Sequence, residues 1–485
     1  MPSQRLFLCI LFLSGVLASP GQCDVRLASV FGDHMVLQHS SEVTVWGWAD
    51  PGEEISLDPS WPYPGSDGPH PTTATADGRW RVNFMTPGAG GPHTLTVRGK
   101  NEIVLKDVLM GEVWVCSGQS NMQWGVQQAD NAQQEIAAAN HPQLRLFQAQ
   151  RAIAVAPAAD ISGAWSVCTP TTIPGFSATA YYFGRKLHSE LGVPVGLIST
   201  NWGGTVVEAW TSAEALAAVG EFGDALSLLK DATVDSVGGA SLDQLHQNYP
   251  TALYNGMIAP IIPFGIRGVI WYQGESNRTR AEQYRKLFPA MIQDWRTRWE
   301  LGDFPFYFVQ IAPYRYGNDT GEAAELREAQ TMTLSLPNTG MCVTMDIGNP
   351  ADIHPTNKQT VGARLARWAL ARDYGRDVVP SGPMYRSMVV VGDEARLHFG
   401  YADGGLSALG GVPTHFTVAG EDQVFHSATA RIDGETVVVR SVAVPHPRAV
   451  RYAWGAADEP NLKNAAGLPA PSFRTDDWPM VTRDR

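Results

Sequence analysis

Glu112-Val-Trp-Val-Cys-Ser-Gly-Gln-Ser-Asn-Met122 decides how this chain is read. Its first half is apolar on both faces of an extended chain, which suits a strand of a parallel sheet covered by helices on both sides. Its second half is polar and turns on a glycine, where a hydroxyl can be exposed and a substrate can approach the backbone. Working outward, residues 195–199, 268–272, 304–310 and 341–346 are apolar runs of the same character. Helical periodicity over 131–140, 179–191, 280–299, 322–335 and 357–372 lies among them. The alternation predicts an α/β layered domain with functional residues beyond the carboxyl ends of its strands.

On either side the period changes from 3.6 to 2. Val43-Thr-Val-Trp-Gly-Trp48 and Arg79-Trp-Arg-Val-Asn-Phe84 alternate, with Asp50-Pro-Gly-Glu53 as a turn between them, so residues 24–106 predict an N-terminal β domain. Residues 377–485 predict a C-terminal β module, leaving 107–376 as the catalytic domain. Within that domain, residues 220–240 are expected to be a mobile insertion.

A formal net charge of −12 without a Lys/Arg cluster argues against nucleic acid or an anionic membrane surface as partner. Behind Arg5 runs Leu6-Phe-Leu-Cys-Ile-Leu-Phe-Leu-Ser-Gly-Val-Leu-Ala18, too short to span a bilayer and closed by small residues. Residues 1–23 therefore predict a signal peptide, no membrane insertion, and a protein of the secretory pathway, lysosomal or secreted. Sequons at Asn277 and Asn318 suit that compartment. Cys23, Cys116, Cys168 and Cys342 are free to form disulfides there, or to remain buried thiols. Oligomeric state is not readable from the chain.

Four polar segments meet the expected sheet edge: Ser117-Gly-Gln-Ser-Asn-Met122, Thr200-Asn-Trp-Gly-Gly-Thr205, Gln273-Gly-Glu-Ser-Asn277 and Asp352-Ile-His-Pro355, the last just before a helix whose early position Pro355 marks. A serine hydroxyl is a poor nucleophile until a base takes its proton, and an imidazole can take that proton and return it to a leaving alcohol. Ser120 with His354 as its base is thus the candidate pair. No His-Glu-X-X-His and no paired-cysteine zinc spacing occurs, so no metal or other cofactor is expected. The lack of a Gly-X-Ser-X-Gly elbow argues against a standard α/β-hydrolase.

Gly-Gln-Ser-Asn-Met, Trp-Tyr-Gln-Gly-Glu-Ser-Asn and Asp-Ile-His-Pro-Thr-Asn-Lys together resemble the SGNH hydrolases, specifically the sialate O-acetylesterases. The resemblance extends to Phe31-Gly-Asp-His-Met-Val-Leu-Gln38, Leu253-Tyr-Asn-Gly-Met-Ile-Ala-Pro260 and Pro471-Ser-Phe-Arg-Thr-Asp-Asp-Trp478. It implies a three-layer αβα domain flanked by β-sandwich-like modules, acting on O-acetylated sialic acid or sialoglycan, with acetylated xylan as the alternative substrate. Ser120 matches the nucleophile. The backbone N–H groups of Ser120 and Gly203 or Gly204, with the Gln273 side chain, match the oxyanion hole. The acid partner of His354 falls to Asp352, with Asp346 as rival, because Ala351 stands where the common pattern has Asp. Glu275 is read as holding the Gln273 loop. Trp124 and Trp202 are candidates to stack on a sugar, as is Trp271 unless it lies in the core. Arg278 and Lys358 are candidates to meet a substrate carboxylate.

Overall fold

The computed structural model describes residues 24–62, 68–231 and 245–485. The expected signal peptide with Cys9 and Cys23, and the insertion beyond Asp231, lie outside the described residues. The insertion's first part, Gly223–Asp231, is a helix.

The sheet is built around one long strand, Glu102–Gly118, which crosses the expected domain boundary without a break. Its first part pairs antiparallel with Gly90–Arg98 of the N-terminal region. Its second part lies parallel between Val195–Asn201 and Gly268–Tyr272. Outward from that centre come His141–Ala149 and Gly163–Cys168 on one side, and Phe306–Val309 and Thr339–Cys342 on the other. All are parallel except Gly163–Cys168, which runs antiparallel at the edge. The His141 and Gly163 strands escape the sequence reading because their inner and outer positions mix polar with apolar residues.

Alternate strand residues feed opposite cores. Val113, Val115, Val269 and Trp271 join the core under the Ala281–Trp299 helix. Trp114, Cys116, Ile270 and Tyr272 join the core under the Ala178–Leu191 and Lys358–Arg372 helices. This is the expected αβα layering, and it follows from strands that are apolar on both faces. Trp271 is wholly core, edge-on to Trp210 and Trp295.

Caps set the helix starts. Ser177 Oγ accepts from the Ala180 N–H at 3.1 Å, and Asn357 Oδ1 accepts from the Thr360 N–H at 3.1 Å. The second cap, at Asn357, places Pro355 two residues before the cap and outside the helix rather than in its first turn. Cys116, Cys168 and Cys342 are buried free thiols.

The N-terminal region adds a sheet ordered Arg26–Leu27, Glu42–Trp48, Arg79–Met85. The C-terminal region forms two four-stranded antiparallel sheets. It is packed on the catalytic domain through Arg474 to Glu328 at 2.8 Å and Lys463 to Asp346 at 2.7 Å.

Candidate active site

The central strand delivers the nucleophile through a turn that only glycine can make. Gly118 has φ +137°, and a Cβ there would lie 2.2 Å from the Tyr272 carbonyl oxygen. Ser120 then opens the one-turn helix Ser120–Gln123, so its N–H has no intrahelical partner. Its Oγ lies 2.9 Å from Nε2 of His354, which stands on the loop before the Lys358–Arg372 helix. Residues 234 apart in sequence thus share one hydrogen bond.

Trp124, from the turn after Ser120, stacks on the imidazole with centroids 4.8 Å apart and planes at 18°. Its indole N–H donates to the Gln128 carbonyl at 2.9 Å, which anchors the ring. Trp124 is therefore a wall of the base as well as a candidate sugar platform. Burial holds the His354 imidazole below its ordinary value, with the Lys358 charge adding to it and Asp352 opposing.

Asp352 lies beside His354 but bonds to its backbone. Oδ1 accepts from the His354 N–H at 2.9 Å and stands 3.6 Å from ring Nδ1, beyond hydrogen-bond length. It offers the ring charge without a hydrogen bond. The rival is committed elsewhere: Asp346 accepts from Arg364 at 2.6 and 2.8 Å and from Lys463 at 2.7 Å.

The expected oxyanion donors divide. The Gly203–Gly204 turn lies against the nucleophile, since a Cβ on Gly203 would be 3.2 Å from Ser120 Cβ. Gly203 N–H, however, donates to Gln123 Oε1 at 2.8 Å. The N–H groups of Ser120 and Gly204 have no acceptor among the described residues. Gln273 does not reach the site. Its amide hydrogens go to Thr205 O at 3.1 Å and Asn277 Oδ1 at 2.7 Å, and its Oε1 accepts from Tyr284. The expectation that it is an oxyanion donor is corrected: a fully buried amide bonds to whatever the packed interior presents.

Asn277 is corrected for the same reason. It is wholly buried, accepts from Gln273 and the Val207 N–H, and donates to Glu208 at 2.8 Å, so it cannot carry a glycan. Asn318 is exposed. Arg278 is not free for a substrate either, being bonded to Asp319 at 2.8 Å and stacked over Tyr316 at 4.2 Å.

Two features were missed by the sequence reading. Behind Ser120, Asn121 Nδ2 donates to Glu275 Oε1 at 2.7 Å and to the Ile353 carbonyl at 3.0 Å, while Lys358 Nζ donates to Asn121 Oδ1. Lys358 is wholly buried, and desolvation pulls its ammonium down to about 7. Burial pushes the Glu275 carboxyl up. All three residues lie within the quoted motifs, but nothing local in those motifs foretold that Lys358 is internal. Beside the nucleophile helix, Gln123, Gln148, Arg151 and Asn201 line a polar cavity of about 240 Å³. The Arg151 guanidinium stands 5.6 Å over Trp202 and has no ion-pair partner among the described residues.

The family described as carbohydrate esterase, sialic acid-specific acetylesterase, matches residues 110–233 and 233–371. The chain belongs to that family. Human sialate O-acetylesterase is 32% identical over 416 residues, covering 78% of this chain and 76% of that protein. The mouse sialate O-acetylesterase is 30% identical over 459 residues, covering 82% and 83% respectively. A carbohydrate acetylesterase of Xanthomonas citri has a crystal structure with TM-score 0.83 and 40% identity, covering 94% of this chain and 100% of that one. Membership makes the chain a carboxylic ester hydrolase, with the SGNH-type fold seen here.

Proposed function

We propose that this chain removes O-acetyl groups from sialic acids, at the 9-position among others, through an acetyl-enzyme intermediate on Ser120. The observation that carries the reading is the 2.9 Å bond between Ser120 Oγ and His354 Nε2 in a chain of this family. Ser120 Oγ attacks the acetyl carbonyl while His354 Nε2 takes its proton. The N–H groups of Ser120 and Gly204 receive the oxyanion. His354 then protonates the sugar oxygen, the C–O bond breaks, and the sugar alcohol leaves. Water attacks the acetyl-serine by the same path in reverse and releases acetate. Asp352 contributes charge and holds the loop backbone, so the proton work falls to the Ser120–His354 dyad. Arg151 beside Trp202 supports recognition of the sialic acid carboxylate, in a cleft that also offers amide side chains to hydroxyls.

The Xanthomonas citri relative favours a second reading, because at 40% identity it is described only as a carbohydrate acetylesterase. Under that reading the mechanism is unchanged and the leaving group belongs to another acetylated glycan, such as xylan. For the compartment, the N-terminal apolar run and the exposed Asn318 sequon support passage through the secretory pathway to a lysosomal or extracellular destination.

Acetate release from 9-O-acetylated sialic acid and from acetylated xylan is the test. The wild-type chain is expected to prefer the former, and Ser120→Ala or His354→Ala to lower the rate on the order of 10⁴-fold or more. A preference for xylan would move the assignment to the second reading, and an active Ser120→Ala enzyme would end both.

A further inference from the structure

A second aromatic groove lies away from the esterase residues. On Glu42–Trp48 the odd-numbered positions from Val43 to Gly47 are buried, while Thr44, Trp46 and Trp48 lie on the opposite, half-open face. In the neighbouring strand Arg79–Met85, residues Trp80, Val82 and Phe84 are buried, and Arg79, Arg81 and Asn83 are exposed. The register places Trp46 opposite Arg81 and Trp48 opposite Arg79. Directly opposed residues share one sheet face and have neighbouring Cβ atoms, so these four side chains form one surface. Trp46 and Trp48 pack in part against the core, and the aromatic surface that this packing leaves open calls for a reason.

The groove has one. With residues 157–159 and Ala259, Ile262 and Pro263 as its other wall, it encloses about 590 Å³, within the range of sites that hold small ligands. Both indoles are held in place: Phe31 packs edge-on against Trp46 at 4.7 Å, and Arg26 lies 4.0 Å over Trp48. Rings already fixed lose little freedom when a ligand stacks on them. Neither indole N–H has an acceptor among the described residues, and neither is sealed from solvent. Arg79 has Asp77 at 3.3 Å, whereas Arg81 has no ion-pair partner among the described residues.

We propose that this groove is a carbohydrate site separate from the esterase centre, and that it takes an acidic oligosaccharide. A sugar ring stacks on Trp46 or Trp48, and its carboxylate meets the Arg81 guanidinium, whose planar fork suits that group. Asp77, at the groove's edge, disfavours a ligand whose negative charge approaches from its side; the Arg79 cation and a hydrogen bond from Thr75 occupy it. The inference rests on the groove's own chemistry and not on which acetyl ester the enzyme cleaves.

The test measures binding of 3′-sialyllactose and of lactose to full-length Ser120→Ala protein, by calorimetry or saturation-transfer NMR. Sialyllactose is expected to bind about tenfold or more tightly than lactose, the worth of one charge-assisted contact. Trp46→Ala in that background is expected to abolish groove binding, and Arg81→Gln to reduce sialyllactose to the level of lactose. Both substitutions in the otherwise wild-type chain should leave 4-nitrophenyl acetate hydrolysis unchanged, which also reports that the variants fold. Equal binding of the two sugars, no binding of either, or sialyllactose binding unmoved by both substitutions would overturn the proposal. Loss of acetate release with groove binding retained would bear on the esterase reading alone.

Discussion

Asn121 donates through Nδ2 to the carbonyl of Ile353 at 3.0 Å, so the residue after the nucleophile holds the residue before the base. The same amide bonds to Glu275 at 2.7 Å and accepts from Lys358. Three segments distant in sequence are thereby locked around the Ser120–His354 pair.

Asn121→Ala should therefore act on geometry rather than on substrate affinity. With the His354 loop released by even about 1 Å, kcat is expected to fall roughly 100-fold while KM stays near its wild-type value. Steady-state kinetics together with a melting curve check this. A variant that melts early but keeps its kcat when folded would reduce Asn121 to a packing role.

The pH profile tests the charge behind the base. His354 must be neutral to accept a proton, and its imidazole is held below the ordinary 6.5, first by burial and then by Lys358. The acid limb of kcat/KM is thus expected to have its midpoint below 6.5. Lys358, lowered to about 7, still carries its charge across that limb. Lys358→Met removes one of the two causes, so the midpoint should move up toward the ordinary value. A midpoint that stays put or moves down would show that this charge does not act on the base.

Gln273 separates a structural role from an oxyanion role. Gln273→Ala leaves Thr205 O and the Tyr284 hydroxyl without a buried partner, at about 1–3 kcal/mol for a group so orphaned, and takes from Asn277 Oδ1 one of its two donors. A lower melting temperature is expected, with kcat of the folded enzyme losing far less than the roughly 100- to 1000-fold typical of a deleted oxyanion donor. A loss of that full size at unchanged stability would return Gln273 to the oxyanion hole.

The sequons give a prediction about modification. Made in a secretory host, the protein is expected to carry glycan at exposed Asn318 and none at buried Asn277. Asn318→Gln should abolish the mobility shift produced by glycosidase, and a shift surviving that substitution would place sugar at Asn277 against its burial.

Much of this was legible without coordinates, for a local reason. Residues 113–116 and 268–272 are apolar at every position, as a strand covered on both faces requires, and each runs into a glycine turn carrying polar residues. Those short-range patterns were enough for the α/β layering and for β structure on either side of it; the pairing of Ser120 with His354 came from the motifs around them, through their resemblance to the SGNH hydrolases. The mixed His141–Ala149 and Gly163–Cys168 strands carried no such pattern and went unread. Only the tertiary structure decided which polar groups face the substrate and which face each other. Gln273, Asn277 and Arg278 look functional as letters in a motif, yet each is taken up by a partner from another segment, at Thr205, Glu208 and Asp319. Lys358 reads as a surface cation and is wholly internal. The physical reason is that a buried donor must be satisfied by whatever the fold places beside it, and those neighbours come from other segments of the chain, distant in sequence.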